Sequence, residues 1–432
     1  MVVPDRKLIA QVMLYSQDIV SATHLSGKLV DLFQLSESRM SNQSHYDFGL
    51  RALKTLLNTA GALKRKAVEE QGSLSADEIL AAEEDVIVVG AFNNVVPKLV
   101  ENDLDIFATI MKEVFPGSSG HKMEDQKLRK ELDGICESLN YVPSENWVQK
   151  ILQLREVLIM RHGVMLVGPS GVGKSSAMNT LLRGLEKIDD IKGEMYIIDP
   201  KAMDKENLYG VLDGTTMEWT DGVVTGLLRK IIANQKGEAD RRHWIIFDGD
   251  VDPVWAENMN SVLDDNKLLT LPSGERLSIP DNIRIILEVD SLENATPATV
   301  SRCGMIWFSQ GTVSSEMCLE NLYLTLKNRE FSGDGSINNG PPPAQLAFLE
   351  AINPLMLSSD ERSTCLVIDA LEFSLAQDHI MTPTRDRLIE SLKALLIKGI
   401  EQAIDYDENH PDFPMSGDHI DNYSKRWLLH SL

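Results

Sequence analysis

Residues 168–175 read Gly168-Pro169-Ser170-Gly171-Val172-Gly173-Lys174-Ser175. The spacing is GxxxxGK[ST], the phosphate-cradling P-loop, in the context that motif requires: an apolar run at 164–167 before it and a helix-forming run at 176–184 after it. Each residue type has a physical reason. Glycines let the backbone turn tightly and aim N–H groups at phosphate oxygens. The helix N-terminus that follows favours an anion. Lys174 supplies a point charge for the β- and γ-phosphates, and Ser175 offers a hydroxyl to Mg²⁺. The whole loop, Pro169, Ser170 and Val172 included, is expected to bind ATP with Mg²⁺.

Working outward, further short apolar runs lie at 195–198, 244–247, 283–287 and 305–308, with helical stretches between them. That βαβ rhythm predicts an α/β domain with a five-stranded parallel sheet. The runs 268–271 and 277–279 flank Pro272-Ser273-Gly274 and predict a β-hairpin inserted before the fourth strand. Residues 144–161 predict an amphipathic helix with Trp147, Ile151, Leu154 and Leu158 on its apolar side and Ser144 as its cap. The first 65 residues read as helices. One carries Leu8, Val12, Met13 and Tyr15 at helical spacing, and another Phe48, Leu50, Leu53, Leu56 and Leu57.

The polar, acidic stretch up to Asp85 reads as a linker or an exposed helix. A mixed segment at 86–115 is broken by Pro97 and ends at Pro116-Gly117. Residues 332–343, rich in Gly, Asn and Pro, read as a loop. Helical patterns follow from 344 to about 404, then a turn at His410-Pro411-Asp412-Phe413-Pro414 and a short helix. A weak internal repeat is visible: His45 and His379 each stand six residues before an arginine, Arg51 and Arg385, that opens an amphipathic helix. The expected division is 1–66, a helical subdomain; 67–143, a linker and lead-in; 144–310, the α/β domain; and 344–432, a second helical subdomain with a C-terminal extension.

Arg242-His243-Trp244-Ile245-Ile246-Phe247-Asp248 is an apolar strand ending in Asp, the Walker B pattern, in which Asp248 orders the Mg²⁺ shell through water. Hydrolytic sites of the AAA+ class carry a Glu next, to polarise the attacking water. Here Gly249 follows. A group of that kind is worth roughly 10²–10⁴-fold in rate. Asp250 stands one residue on, where strand geometry redirects its side chain. Slow or absent hydrolysis is expected. In Ile285-Ile286-Leu287-Glu288-Val289-Asp290 the alignment puts Asp290 where such domains hold the water, and it reads equally as an ordinary loop acid. Arg302, in Ser301-Arg302-Cys303-Gly304, precedes the fifth strand and reads as a cap contact, a salt bridge or a phosphate-reaching arginine. Asn266-Lys267-Leu268-Leu269 lacks the Asp of the guanine-reading NKxD, so adenine is favoured.

Composition narrows the partners. Lys and Arg total 42 against 65 Asp and Glu, a formal charge of -23, which disfavours nucleic acid. The four cysteines, Cys136, Cys303, Cys318 and Cys365, show no CxxC spacing, and a reduced intracellular compartment fits them. Neither a signal peptide nor a membrane span is expected.

Taken together, these motifs resemble the dynein heavy chain family. His45-Tyr46-Asp47-Phe48-Gly49-Leu50-Arg51 resembles the small helical part of the first AAA+ module. Ile198-Asp199-Pro200-Lys201-Ala202, Glu218-Trp219-Thr220-Asp221-Gly222, Phe247-Asp248-Gly249-Asp250-Val251-Asp252-Pro253, Asn260-Ser261-Val262-Leu263-Asp264-Asp265-Asn266-Lys267 and Thr299-Val300-Ser301-Arg302-Cys303-Gly304 resemble the second. The Asp250-Val251-Asp252-Pro253 wording is closer to cytoplasmic than to axonemal forms. The resemblance covers nearly the whole chain and is poorest at 66–85 and 332–343.

The resemblance implies a P-loop AAA+ α/β domain with helical small subdomains on both sides. It implies a six-module ring driving minus-end-directed movement on microtubules, in the cytoplasm and on the cytoskeleton, of which this chain would be a fragment. The implied partners are the neighbouring AAA+ modules and the linker of the same heavy chain. Intermediate chains, light chains and microtubules would be reached through parts absent here. The inserts around 209–219 and 268–279 would face the linker. By resemblance the second module binds ATP without ready turnover. Its sensor arginine maps onto Arg385, with Arg387 as the fallback because Thr382-Pro383 disturbs the register. The first module's sensor maps onto Arg51, and Arg302 would act in trans as a catalytic residue on the first module's site. The alternative is an independently active AAA+ ATPase or remodelling enzyme, against which Gly249 argues.

Overall fold

A computed structural model describes residues 5–70, 76–116, 126–234, 237–264, 266–331, 341–357, 365–381, 383–415 and 417–432. Most of the loop expected at 332–343, together with Asp265 and Thr382, lies outside the described residues. The chain forms two compact units, the first comprising residues 1–131, 148–169 and 174–309, and the second 132–147, 170–173 and 310–432.

The first unit opens with five helices: α1 (Arg6–Ser16), α2 (Ala22–Arg39), α3 (Leu50–Glu70), α4 (Ala76–Val95) and α5 (Glu101–Val114). Leu14, Leu29, Leu56, Ile87, Phe107 and Phe115 belong to one core, so the helical body continues past residue 66 to Phe115. Glu83 of α4 pins it. Its buried carboxylate accepts from the Val20 and Ser21 N–H groups at 2.9 and 3.0 Å and pairs with Lys64 at 2.8 Å. The expected helix α1 forms, with Leu8, Val12 and Tyr15 exposed and Ala10 and Leu14 buried.

Next come α6 (Gln126–Ser138) and α7 (Glu145–Met160), the latter opening where the Trp147 N–H donates to Ser144 Oγ at 3.2 Å, the expected cap. The α/β part follows as β1 (Gly163–Val167), α8 (Lys174–Asp189), β2 (Gly193–Ile198), α9 (Lys205–Tyr209), β3 (Gly210–Leu212), β4 (Trp219–Asp221), α10 (Val223–Ile232), β5 (Arg242–Asp248), α11 (Pro253–Ala256), α12 (Asn260–Leu263), β6 (Leu268–Thr270), β7 (Arg276–Ser278), β8 (Ile283–Val289), α13 (Pro297–Val300) and β9 (Gly304–Trp307). Five strands make a parallel sheet in the order β2-β5-β8-β1-β9, matching the five apolar runs. Strand β8 therefore separates β1 from β5. This is the position that matters for the site.

The expected hairpin is β6–β7, and β3–β4 forms a second. Arg229 of α10 ties the two together. Its Nη1 and Nη2 donate to Glu275 at 2.9 and 2.6 Å, and its Nε donates to Asp221 at 3.0 Å. The helical body meets the sheet edge where the buried His45 ring stacks on Trp307 at 4.9 Å. His379, the counterpart of His45 in the internal repeat, is exposed and lies 2.6 Å from the Ser374 carbonyl.

The second unit is helical: α14 (Ser315–Asn328), α15 (Pro343–Met356), α16 (Leu366–Leu375), α17 (Arg385–Asn409) and α18 (Gly417–Ser431). Leu322, Phe348, Ile352, Leu396, Ile400 and Leu428 lie in its core. Among the described residues no helix is long and apolar enough to cross a membrane.

Candidate functional site

Strand β1 is buried along its whole length and delivers the chain to Gly168. The Gly168 N–H donates to the Val289 carbonyl at 3.1 Å, and a Cβ there would overlap the Phe308 carbonyl. Gly171 and Gly173 hold φ values of 81° and 83°, the left-handed region in which a side chain is strained. The loop then runs into α8 at Lys174, whose first-turn N–H groups have no carbonyl of their own helix to bond.

Within the first unit, Lys174 is only 5% exposed, and its ammonium is held by three acceptors. Nζ donates to the Gly168 carbonyl, to the Pro169 carbonyl at 3.3 Å and to Asp290 Oδ1 at 3.0 Å. The Ser175 hydroxyl donates to Glu288 Oε1 at 2.7 Å. Register explains why Glu288 is there. It stands opposite Leu166 near the end of β1 and opposite Asp248 at the end of β5. Burial pushes the Glu288 carboxyl above its ordinary pKa, and the charges of Asp248 and Asp290 push the same way; the Ser175 hydrogen bond and the Lys174 charge oppose them. Asp248 itself is exposed at the strand end.

The sequence left Asp290 either at the water-holding position or as an ordinary loop acid; in the structure its carboxylate is bound to Lys174, and Glu288 is the residue in register with Asp248. A two-residue step along a strand keeps a side chain on the same face, so both acids point to the loop side while Leu287 and Val289 are buried. Only a fixed strand register distinguishes them, and the alternation of the sequence alone did not supply it.

Gly249 has φ 137°, and its N–H donates to the Glu288 carbonyl at 3.0 Å. A Cβ at 249 would meet Asp199 Oδ1 and Pro200 Cδ at 3.8 and 4.0 Å, which is ordinary contact. Space therefore does not keep a larger residue out, but the backbone conformation opposes one. The Asp250 carboxylate turns to Lys201, which it meets at 2.6 Å. Lys201 was not singled out by the sequence reading, because its partner lies 49 residues away in another loop.

Within the second unit, Trp147 Nε1 donates to the Gly173 carbonyl at 3.2 Å. Helix α17 begins at Arg385, and the Thr384 side chain caps it by accepting from the Arg387 N–H at 3.4 Å. The carboxylate of the intervening Asp386 packs so closely on Gly171 that a Cβ there would overlap it.

Arg51 and Arg302 come together at a different place in the first unit. An Arg51 guanidinium nitrogen donates to the hydroxyl of Ser301, the neighbour of Arg302. Arg302 Nε pairs with Asp264 at 2.8 Å, and its Nη1 donates to the Ala298 carbonyl at 2.7 Å. Gly304 at the start of β9 stands opposite Val164. The P-loop begins four residues further along β1, roughly 13 Å at strand rise. Arg302 thus lies towards the opposite end of the strands from Lys174, next to the start of the strand that neighbours β1.

The residues present fit a magnesium nucleotide: a glycine loop with left-handed turns, a buried ammonium, a hydroxyl and a carboxylate at the end of the Walker B strand. A family model described as the hydrolytic ATP binding site of the dynein motor region matches residues 1–175, and one described as an AAA domain of the dynein-related subfamily matches residues 163–303. The cytoplasmic dynein heavy chain of Paramecium tetraurelia is 46% identical over 99% of this chain and 10% of its own length. That of Drosophila melanogaster is 43% identical over 100% of this chain and 10% of its own. That of Fusarium vanettenii is 44% identical over 99% of this chain and 10% of its own. The chain thus spans about one tenth of the length of the curated relatives it matches.

Proposed function

The chain belongs to the dynein heavy chain family, and from that premise we propose that it contributes an ATP-binding AAA+ module to an ATP-driven, minus-end-directed microtubule motor of the cytoplasm. Its own site holds Mg²⁺–ATP and turns it over slowly or not at all. The observation that carries the first half is Lys174, a buried ammonium at the start of α8 behind a glycine loop. The second half rests on the end of β5. Gly249 offers no base, and Asp250 is engaged by Lys201.

In this reading Lys174 and the loop N–H groups bind the phosphates, while Ser175 and, through water, Asp248 hold the ion. Mg²⁺ supplies charge neutralisation between the phosphate oxygens. Arg385, or Arg387, approaches the phosphates as the sensor arginine of the same module. Arg302 acts in trans on the nucleotide of the preceding module, and Arg51 is that module's sensor. Two placements support this: Arg302 lies towards the end of the strands away from its own P-loop, and Arg51 reaches its neighbour Ser301. The partners are then the adjoining modules and linker of the same heavy chain. Microtubules and the intermediate and light chains are engaged through other parts of the motor.

Calorimetric titration tests the nucleotide reading. Mg²⁺–ATP is expected to bind the chain at one site, with Mg²⁺–GTP weaker. Absence of Mg²⁺–ATP binding by the folded chain would refute it.

A further inference from the structure

The two carboxylates at the end of β8 sit on the two P-loop groups that matter most. Asp290 Oδ1 is 3.0 Å from the Lys174 ammonium, and Glu288 Oε1 is 2.7 Å from the Ser175 hydroxyl. Asp248 stands beside Glu288 in register. One carboxylate thus occupies the Lys174 ammonium and two more lie at the neighbouring strand ends, a surplus of negative charge where a polyphosphate would bind. Asp290 competes with phosphate oxygens for Lys174, and Glu288 faces the hydroxyl that offers itself to the ion. The sequence reading assigned Glu288 no role.

We propose that Glu288 and Asp290 are selectivity residues, a charge filter that admits the triphosphate as its magnesium complex and rejects the bare anion. The proposal rests on the reading that residues 168–175 take a nucleotide, and it adds what decides the form taken. A bare ATP tetra-anion meets three carboxylates at the strand ends, and Asp290 already occupies part of the Lys174 charge that would offset them. Two positive charges from Mg²⁺ cancel that surplus. Glu288 contributes more than Asp290 because it is the more buried of the two and less screened by water.

The test is the ratio of dissociation constants for a fluorescent ATP analogue carrying an N-methylanthraniloyl group, measured with the 432-residue chain in excess Mg²⁺ and in EDTA. Glu288→Gln and Asp290→Asn keep side-chain shape and remove one charge each. The wild type is expected to bind about a thousandfold more tightly with Mg²⁺, as couplings between close charges allow. Glu288→Gln and Asp290→Asn are each expected to narrow that ratio by about tenfold or more, Glu288→Gln the further, through tighter binding in EDTA. Unfolded variants are recognised by loss of binding in both conditions. Where one variant is unfolded the other serves alone, and Glu288→Asp, which keeps the charge, is the control: the filter predicts a narrowed ratio in the first and a retained ratio in the second. Wild-type ratios in the charge-removed variants would overturn the filter and leave the nucleotide reading intact. Failure of the wild type to bind even with Mg²⁺ would overturn both.

Discussion

Replacing Lys174 with Ala is expected to weaken Mg²⁺–ATP binding by about 150-fold. Lys174 is 5% exposed, so its ammonium works in a poorly hydrated setting, and its three acceptors fix it at the start of α8. Truncating one partner of a buried, hydrogen-bonded charge pair costs 2–5 kcal/mol, and a value of about 3 kcal/mol corresponds to about 150-fold in Kd. Asp290 then remains facing the phosphates with no cation between them, which argues against the bottom of that range. The fold should tolerate the change. The Asp290 side chain is 67% exposed and rehydrates once released, so the thermal midpoint should fall by only a few degrees. Adding Asp290→Asn to Lys174→Ala should recover about a tenth of the lost affinity on the logarithmic scale or more, and in no case lose further affinity. The assay is calorimetry on the two single variants, the double variant and the wild type. A Kd for Lys174→Ala within threefold of the wild type, with the fold intact by circular dichroism, would refute the assignment of the P-loop lysine.

Gly249→Glu should raise single-turnover ATP hydrolysis by less than tenfold and lower the melting temperature. A well-placed base is worth roughly 10²–10⁴, but φ 137° at that position strains any side-chain-bearing residue by about 1–3 kcal/mol. A gain of a hundredfold would show that the missing carboxylate alone silences the site. In a complete motor, Arg302→Ala should slow microtubule-stimulated turnover by roughly 10³–10⁵ while nucleotide occupancy at 168–175 survives. Arg302→Lys should rescue poorly, because an ammonium lacks the planar fork; near-normal turnover of the Ala variant would reduce Arg302 to a partner of Asp264. Glu83→Gln should destabilise the helical body by about 3 kcal/mol at neutral pH, because it leaves Lys64 without its buried partner. Burial alone would raise the Glu83 carboxyl, but hydrogen bonds from Lys64, Ser21 and Val20 outweigh it and hold the pKa below 4.5. The stability it contributes is therefore complete above that pH and is lost as pH falls through the lowered pKa, so urea midpoints of wild type and variant should converge in acid. A gap that does not change with pH would contradict the ion-pair account.

The five sheet strands were legible because each is a short apolar run between helical stretches, a pattern that burial on both faces imposes on the inner strands, while the edge strand β2 keeps it with Ile197 exposed. The P-loop was legible because its chemistry demands fixed residue types at fixed spacing. Other features depend on register or on distant partners, which one-dimensional spacing does not carry. Hairpin β3–β4 is three residues a side, too short to show alternation, although Trp219 and Asp221 lay in a recognised stretch. Glu288 was hidden because a single acid in an apolar strand looks like an interruption until β8 is known to lie between β1 and β5. Asp250 was doubted on strand geometry alone, and the structure supplies its partner, Lys201. The helix α1 was legible from Leu8, Val12 and Tyr15, which keep helical spacing although they lie on its exposed side. Periodicity marks a helix there without saying which stripe is covered.

The central claim is that this module holds ATP and does not cycle it. The most direct test is the identity of the nucleotide at 168–175 in a complete motor moving on microtubules. Motor loaded with labelled ATP is chased with excess unlabelled ATP during steady turnover and quenched, and the label still bound is released by denaturation and separated by chromatography. The account predicts about one nucleotide per chain, mainly ATP, carried unchanged through many motor cycles. Mostly ADP, or exchange with the unlabelled ATP on the timescale of a single cycle, would contradict it.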